Sequence, residues 1–498
     1  MIIVNVNLQK KYKLFINGEW KDASDGATLK SYNPANGEFL TEIADATEKD
    51  VNDAVNAARR AFETWSKTTP AERAVILNKI ADVIAENAEY LATVETMDNG
   101  KPIRETSGAD IPLALDHFRY FAGVIRADEG SASMVDGNTL NIILREPIGV
   151  VGQIVPWNFP FLMAAWKLAP VLAAGDVSVF KPSSTTSLSV LELMRLIQDI
   201  IPKGVINVIT GKGSKSGEYL QHNVGIDKLA FTGSTEVGRK IGIAAAERII
   251  PATLELGGKS ANIFFSDANM DIALEGIQLG ILFNQGQVCS AGSRIFVQED
   301  FYDEFMEKAI AAFEKVKVGN PLDSNTQMGA QVSEAQLKKI LKYIEIGKQE
   351  GAKVATGGER FIEGDAKNGY FMKPTLLTDV TNDMRVAREE IFGPVGVVIK
   401  FKTEEEVIAM ANDSDYGLGG GVFTTNLNRA IRVAKGIRTG RIWVNTYNTF
   451  PAGATFGGYK ESGIGRETHK VILDAYTEKK NIIVNLSETP SGMYEKLI

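Results

Sequence analysis

The 498-residue chain contains a single cysteine, Cys289. An intramolecular disulfide and a thiolate metal cluster are therefore excluded. Histidine is nearly as scarce. His117, His222 and His469 lie far apart in unrelated contexts, so no metal site is expected. No apolar run approaches the roughly 18 residues that a transmembrane helix needs. Neither sign of charge dominates: 54 Lys+Arg against 62 Asp+Glu leave a net charge of −8. A mildly acidic protein is a poor match for nucleic acid or anionic membrane as main partner. The first arginine is Arg59, which argues against an Arg-rich organellar leader. The opening MIIVNVNLQKKYK places its apolar residues before its lysines, the reverse of a secretory signal. The cytoplasm is the expected compartment.

What is present suits a large globular protein. At roughly 150 residues per domain the length implies about three structural units. Residues 12–45 read as short strands and turns, with Asn17-Gly18 and Asn36-Gly37 as turn signals. Val51, Ala54, Val55, Ala58, Ala61, Phe62 and Trp65 recur at helical spacing. Thr69-Pro70-Ala71-Glu72 supplies a cap, a first-turn proline and a capping-box carboxylate for the next helix. From about residue 147 strands and helices alternate. Strands are read at 149–155, 177–181, 206–210 and 228–233, and helices at 161–174, 184–199, 214–223 and 234–248. Such alternation predicts a parallel, doubly wound α/β sheet. A second α/β unit follows from about 260, with strands at 261–265, 293–298, 396–402 and 441–445 and helices at 270–284, 299–316 and 333–351. The segments 138–147 and 479–488 read as strands without an obvious neighbour in sequence, and such edges are often covered by another subunit.

Ligands of doubly wound sheets sit at the carboxyl ends of the strands, so the loops after the strands carry the information. Cys289 lies among Asn284, Gln285, Gly286, Gln287 and Ser290, a polar setting for a residue that elsewhere packs as a small hydrophobe. A thiol at such a junction can gain thiolate character from backbone dipoles. Glu255 stands between Leu254 and Leu256 and before Gly257-Gly258. Desolvation there would raise its pKa toward that of a general base, although a strand-end pair with Lys259 is the plainer reading. Asn158, in Pro156-Trp157-Asn158-Phe159-Pro160, could donate to an oxyanion or simply hold a turn. Phe231-Thr232-Gly233-Ser234 leads from a strand into a helix start suited to phosphate, or is a tight turn only. Lys181-Pro182-Ser183-Ser184 ends another strand.

Together these blocks, with EEIFGPV (389–395) and FGGYKESGIGRE (456–467), resemble the aldehyde dehydrogenase superfamily over about residues 13–486, with the cysteine 34 residues after the glutamate. The resemblance implies a fold of two doubly wound α/β domains plus a small β arm. Residues 1–126 and 148–257 would bind NAD(P), 258–465 would form the catalytic domain, and 127–147 with 466–498 would form an oligomerisation arm of a homodimer or homotetramer. It implies that Cys289 attacks an aldehyde, that the Asn158 amide and the Cys289 backbone N–H hold the oxyanion, and that Glu255 activates the water that hydrolyses the thioester. Lys167 and Glu467 would lie near a proton path. Lys181 would bond the adenosine ribose, Trp157, Gly233 and Ser234 would contact the pyrophosphate region, and Glu390 and Phe392 would hold the nicotinamide end. Phe159, Met163, Trp166, Val288, Ser290, Phe450 and Phe456 would line the substrate funnel, with a medium aliphatic, aromatic or small hydroxylated aldehyde as substrate. Many NAD-preferring members carry glutamate where this chain has Ser184, so NADP is expected to be accepted, with Lys181 and Lys212 near its 2′-phosphate. No metal is required. A CoA-acylating dehydrogenase and a non-catalytic relative are the alternatives. The first usually lacks the glutamate found here as Glu255, and the second tends to lose the thiol.

Overall fold

The structure is a computed structural model, and residues 6–494 are described. Most of the opening apolar stretch and the outermost ends of the expected 1–126 and 466–498 segments lie on or beyond the limits of the described residues.

An eight-stranded sheet forms the first half. Its centre is five parallel strands in the spatial order Ala252–Glu255, Lys228–Thr232, Val150–Ile154, Val177–Lys181 and Ile206–Val208. These are runs of buried apolar residues, as expected where helices cover both faces. Leu14–Ile16 and Glu19–Lys21 extend one edge antiparallel through a two-residue turn at Asn17 (φ 56°) and Gly18 (φ 74°). Both turn residues have the positive φ for which Asn-Gly is selected. At the other edge Gly463–Ile464 pairs with Ala252–Glu255, so a segment from late in the chain closes the first sheet. The helix Pro160–Ala174 is buried along its whole length. Capping boxes at Thr47/Asp50 and Thr69/Glu72 start the helices Glu48–Trp65 and Pro70–Glu86.

The second sheet has seven strands, ordered Lys353–Thr356, Thr375–Thr378, Val395–Phe401, Arg294–Gln298, Ala261–Phe264, Gly419–Phe423 and Arg441–Val444. All neighbours are parallel except the first pair. The glycine-rich strand Gly419–Phe423 escapes a hydrophobic-pattern reading. Its glycines are required by packing: a Cβ at Gly421 would lie 2.5 Å from Asn262 Oδ1 and 2.7 Å from the Tyr447 ring.

Several expected helices are shorter than read. The segment 184–199 is helical only over Leu188–Ile197, because the Ser/Thr run after Pro182 turns first. The segment 214–223 divides into a π turn, Gly213–Gly217, and a short helix, Glu218–His222. The helix read as 270–284 ends at Ile281, since Asn284 and Gln285 take left-handed φ values of 47° and 56°. The two strands without obvious partners pair with each other, Thr139–Pro147 against Thr477–Asn485 in a nine-residue antiparallel register. Ser131–Met134 adds a third strand.

Candidate active site

A cavity of about 220 Å³ lies between the carboxyl ends of the two sheets. The loops that follow Val150–Ile154, Lys228–Thr232 and Ala252–Glu255 supply one side, and the segment ending at Cys289 supplies the other. Asn158, Glu255 and Cys289 are all on its wall.

Cys289 is held by an unusual backbone. Asn284, Gln285 and Gly286 (φ 72°) are three consecutive left-handed residues that swing the chain back toward the cavity. A Cβ at Gly286 would lie 2.1 Å from the Gly393 carbonyl oxygen, so only glycine lets this turn pack on the 392–394 loop. The Asn158 side-chain amide donates to the Gln287 carbonyl at 2.9 Å. The Asn284 amide donates to the Asn158 carbonyl at 2.7 Å and to the Gln287 carbonyl at 3.1 Å. This network fixes Asn158 beside the cysteine segment. A primary amide has two N–H groups, so one can serve Gln287 while the other faces a reacting oxygen.

The thiol is partly exposed to the cavity. Burial, with the Glu255 and Glu390 carboxylates adding to it, pushes its pKa up to about 12. Glu255 is 4% exposed, and among the described residues neither carboxylate oxygen has a hydrogen-bond partner. Burial, reinforced by Glu467, holds its pKa well above the usual carboxylate range. The plainer pairing with Lys259 is absent: the Lys259 ammonium has no hydrogen-bond partner among the described residues either. Lys167 and Glu467 form a wholly buried ion pair with each other, off the cavity wall, and both charges act on Glu255.

Trp157, Gly233, Ser234, Glu390 and Phe392 line the other end of the cavity. The Phe392 ring meets Trp157 edge-on at 5.2 Å. Glu390 accepts from the Gly258 N–H at 2.9 Å. Lys181 and Ser184 lie off this wall. The Lys181 ammonium donates to the Pro182 carbonyl at 3.0 Å, and burial lowers its pKa to about 8. Ser184 follows it, half-buried. Phe159, Met163, Trp166, Val288, Phe450 and Phe456 form the apolar end. Ser290 does not join them: it is buried behind Cys289, and its carbonyl accepts from the Tyr447 hydroxyl at 2.9 Å. Asp110, Leu113, Leu162, Phe283, Gln336 and Lys339 also line the cavity and were not singled out from sequence. Leu162 follows Phe159 by one helical turn, and Phe283 opens the cysteine block. The helix residues Gln336 and Lys339 lie in an ordinary amphipathic pattern that carries no such signal.

The aldehyde dehydrogenase family model matches residues 20–482. The chain belongs to the aldehyde dehydrogenase family. It is an NAD(P)-dependent aldehyde dehydrogenase. Aldehyde dehydrogenase B of Escherichia coli (strain K12) is 53% identical to the dehydrogenase over 496 residues, 98% of this chain and 96% of that protein. The NAD+ complex of an aldehyde dehydrogenase from Bacillus cereus superposes with a TM-score of 0.94 at 45% identity, covering 97% of this chain and 100% of that chain. Betaine aldehyde dehydrogenase from Staphylococcus aureus, in complex with NAD+, gives a TM-score of 0.95 at 41% identity over 97% of each chain.

The residues of the dehydrogenase fit a nicotinamide dinucleotide. The 14-residue helix Thr235–Arg248 presents its N-terminus beside Gly233 and Ser234 on the cavity wall. Free N-terminal amides of a helix suit a phosphate. A Cβ at Gly257 would lie 2.8 Å from a Glu390 carboxylate oxygen, so a side chain there would have to displace the Glu390 carboxylate. Among the described residues no group of three or more His, Cys, Asp or Glu is placed to hold a metal.

Proposed function

We propose that the dehydrogenase converts an aldehyde to its carboxylic acid through a thioester on Cys289 that is hydrolysed by water activated by Glu255. The observation that carries this is one cavity wall bearing the chain's only thiol, a fixed amide donor and a buried carboxylate without a hydrogen-bond partner among the described residues. The Cys289 sulfur adds to the aldehyde carbon, and its proton leaves to solvent. The second N–H of Asn158 and the Cys289 backbone N–H stabilise the resulting oxyanion. When bound, NAD(P) supplies the hydride acceptor that turns the thiohemiacetal into the thioester. Glu255 then takes a proton from water as the water attacks the thioester carbon, and the carbon–sulfur bond breaks to release acid and thiol. The buried Lys167–Glu467 pair sets the charge that Glu255 feels and offers it a proton relay.

We place the nicotinamide end of the cofactor on Glu390 and Phe392, the pyrophosphate by Trp157, Gly233 and Ser234, and the adenosine ribose by Lys181. NAD+ is the cofactor in the Bacillus cereus and Staphylococcus aureus complexes. Ser184 carries no charge to repel a 2′-phosphate, and Lys181 and Lys212 can attract one, so NADP is accepted as well. We assign 1–126 with 148–257 to cofactor binding, 258–465 to catalysis, and 127–147 with 466–498 to assembly. Among the described residues the three-stranded sheet leaves Leu144, Ile482 and Ile483 exposed and one edge of Thr477–Asn485 unpaired. That is the signature of a surface covered by a second copy, in a dimer or tetramer. The cytoplasm is the proposed compartment. Among the described residues no helix is long and apolar enough to cross a membrane.

The test is formation of reduced nicotinamide from a panel of aldehydes with NAD and with NADP, with and without CoA. CoA-independent turnover that Cys289→Ala abolishes supports the reading. Strict CoA dependence would replace it with acyl transfer to CoA. A thousand-fold preference for NAD would remove the NADP proposal alone.

A further inference from the structure

Phe450 and Phe456, two rings of the apolar end of the cavity, sit on one irregular loop, residues 445–456. The loop leaves the strand Arg441–Val444 at the edge of the second sheet. Its first part anchors itself. The Tyr447 hydroxyl donates to the Ser290 carbonyl at 2.9 Å, and the Asn448 amide donates to the Leu279 carbonyl at 2.7 Å. Its tip, residues 451–455, reads Pro-Ala-Gly-Ala-Thr and carries no long polar side chain.

Arg441 ties down this tip. Its guanidinium donates to the Thr449 carbonyl at 3.0 Å, to the Ala454 carbonyl at 2.9 Å and to the Thr455 carbonyl at 2.5 Å, and so bridges the two ends of the tip. Trp443, two residues on and therefore on the same face of the strand, adds its indole N–H to the Thr449 carbonyl at 3.0 Å. The guanidinium lies 5.5 Å from the centre of the Phe456 ring and 5.9 Å from that of Phe450, within cation–π reach of both. The Thr468 hydroxyl also donates to the Ala454 carbonyl, and the His469 N–H to the Ala452 carbonyl, but neither reaches the Thr449 end. Burial lowers the pKa of Arg441 to about 10, so the group stays charged at neutral pH. A planar fork can serve several carbonyls while lying against rings, whereas a lysine ammonium is a point donor.

We infer that Arg441 is a positioning residue that acts through Phe450 and Phe456: by clamping their loop it holds both rings on the cavity wall and sets how well the site grips the hydrocarbon part of the aldehyde. This inference rests on the aldehyde oxidation proposed above. Arg441 is not itself a site for a substrate carboxylate, since it lies off the cavity wall with its donors turned onto the loop.

The experiment compares Arg441→Met with wild type on straight-chain aldehydes of two to ten carbons, with kcat and KM resolved for each. Acetaldehyde presents only a methyl group to the rings, so its kcat/KM is expected to fall by no more than about three-fold. The longest aldehydes that wild type oxidises are expected to lose about 10- to 100-fold, the scale set by one charge-assisted hydrogen bond. The loss should lie in KM, because the rings do not touch the reacting carbonyl, and the dissociation constant of the cofactor should not change. An equal loss at every chain length would make Arg441 a structural residue only and overturn the inference, and so would no loss at any length. A loss confined to aldehydes bearing a second, carboxylate group would overturn it in favour of direct contact with substrate. If the methionine variant does not fold, Arg441→Lys, which keeps the charge and loses the fork, is read in the same way, with the chain-length dependence deciding. If wild type oxidises no aldehyde, the underlying function fails, and this inference with it.

Discussion

Replacing Glu255 by glutamine separates the two half-reactions. Glutamine keeps the size and shape of the side chain and loses only the ability to take a proton. Glu255 sits 4% exposed with no hydrogen-bond partner on either oxygen among the described residues, and burial together with Glu467 raises its pKa well above the carboxylate range. A base so placed is strong once ionised but is ionised only at higher pH. Wild-type turnover should therefore climb with pH through the neutral and alkaline range wherever thioester hydrolysis limits it. A positioned general base contributes about 10²–10⁴-fold, which corresponds to about 3–5 kcal/mol of barrier. Glu255→Gln should lower steady-state turnover by that factor and flatten its rise with pH. The first half-reaction should survive. The Glu255 charge helps hold the Cys289 thiol up at about 12, second only to burial, so its removal makes the thiolate easier to form. The assay is rapid mixing with saturating aldehyde and cofactor, followed by the absorbance of reduced nicotinamide. The expected trace is a burst of one equivalent per subunit and then a slow phase. Loss of burst and steady state together in a folded variant would refute the argument and make Glu255 the base for the thiol. A steady rate within a few-fold of wild type would refute it as well.

Asn158→Ala should lower kcat/KM by about 10²–10³, the usual cost of one oxyanion donor, with little change in the dissociation constant of the cofactor; an unchanged kcat/KM would remove Asn158 from the reaction. Gly286→Ala combines a φ of 72° with a Cβ 2.1 Å from the Gly393 oxygen, so it should displace the cysteine turn and cost most of the activity, with a lowered Tm. Thiol labelling that matches wild type would count against it. His117 is buried and neutral, its pKa depressed by burial to about 4 from an ordinary 6.5. Its contribution to stability is present above pH 6.5 and is lost as pH falls toward 4, at about 1.4 kcal/mol per pH unit and about 3 kcal/mol in all. Wild type should therefore lose stability faster than His117→Gln between pH 7 and 5 in thermal melts, and parallel curves would contradict this.

The regular parts of the fold were legible because each obeys a local rule. Buried strands such as Val177–Lys181 are continuous apolar runs, the capping boxes at Thr47 and Thr69 need only three residues, and Asn17-Gly18 carries its own turn geometry. The reacting residues stood out by incongruity: one thiol in polar company, and one glutamate between leucines. Much less could be read where partners are distant in sequence. The pairing of Thr139–Pro147 with Thr477–Asn485 spans more than 300 residues, and nothing in either strand names the other. The strand Gly419–Phe423 opens on three glycines because Trp443, Ile442 and the Tyr447 ring occupy the space that side chains at Gly419, Gly420 and Gly421 would fill.

Composition and local pattern by themselves determined that this chain is α/β, free of disulfides, and equipped with Cys289, Glu255 and Asn158. Family motifs supplied the roles expected of those residues. Only the tertiary structure decided the environment in which they work. It removed Lys259 from Glu255, left that carboxylate without a hydrogen-bond partner among the described residues, and moved Ser290 behind the nucleophile. It also paired Asp110, which no local signal marks, with Lys101 in a wholly buried ion pair beside the cavity. Residue type and spacing determine which groups a chain carries. Burial and the company of distant residues determine their charge, their pKa and the side they face, and those are properties of the folded chain alone.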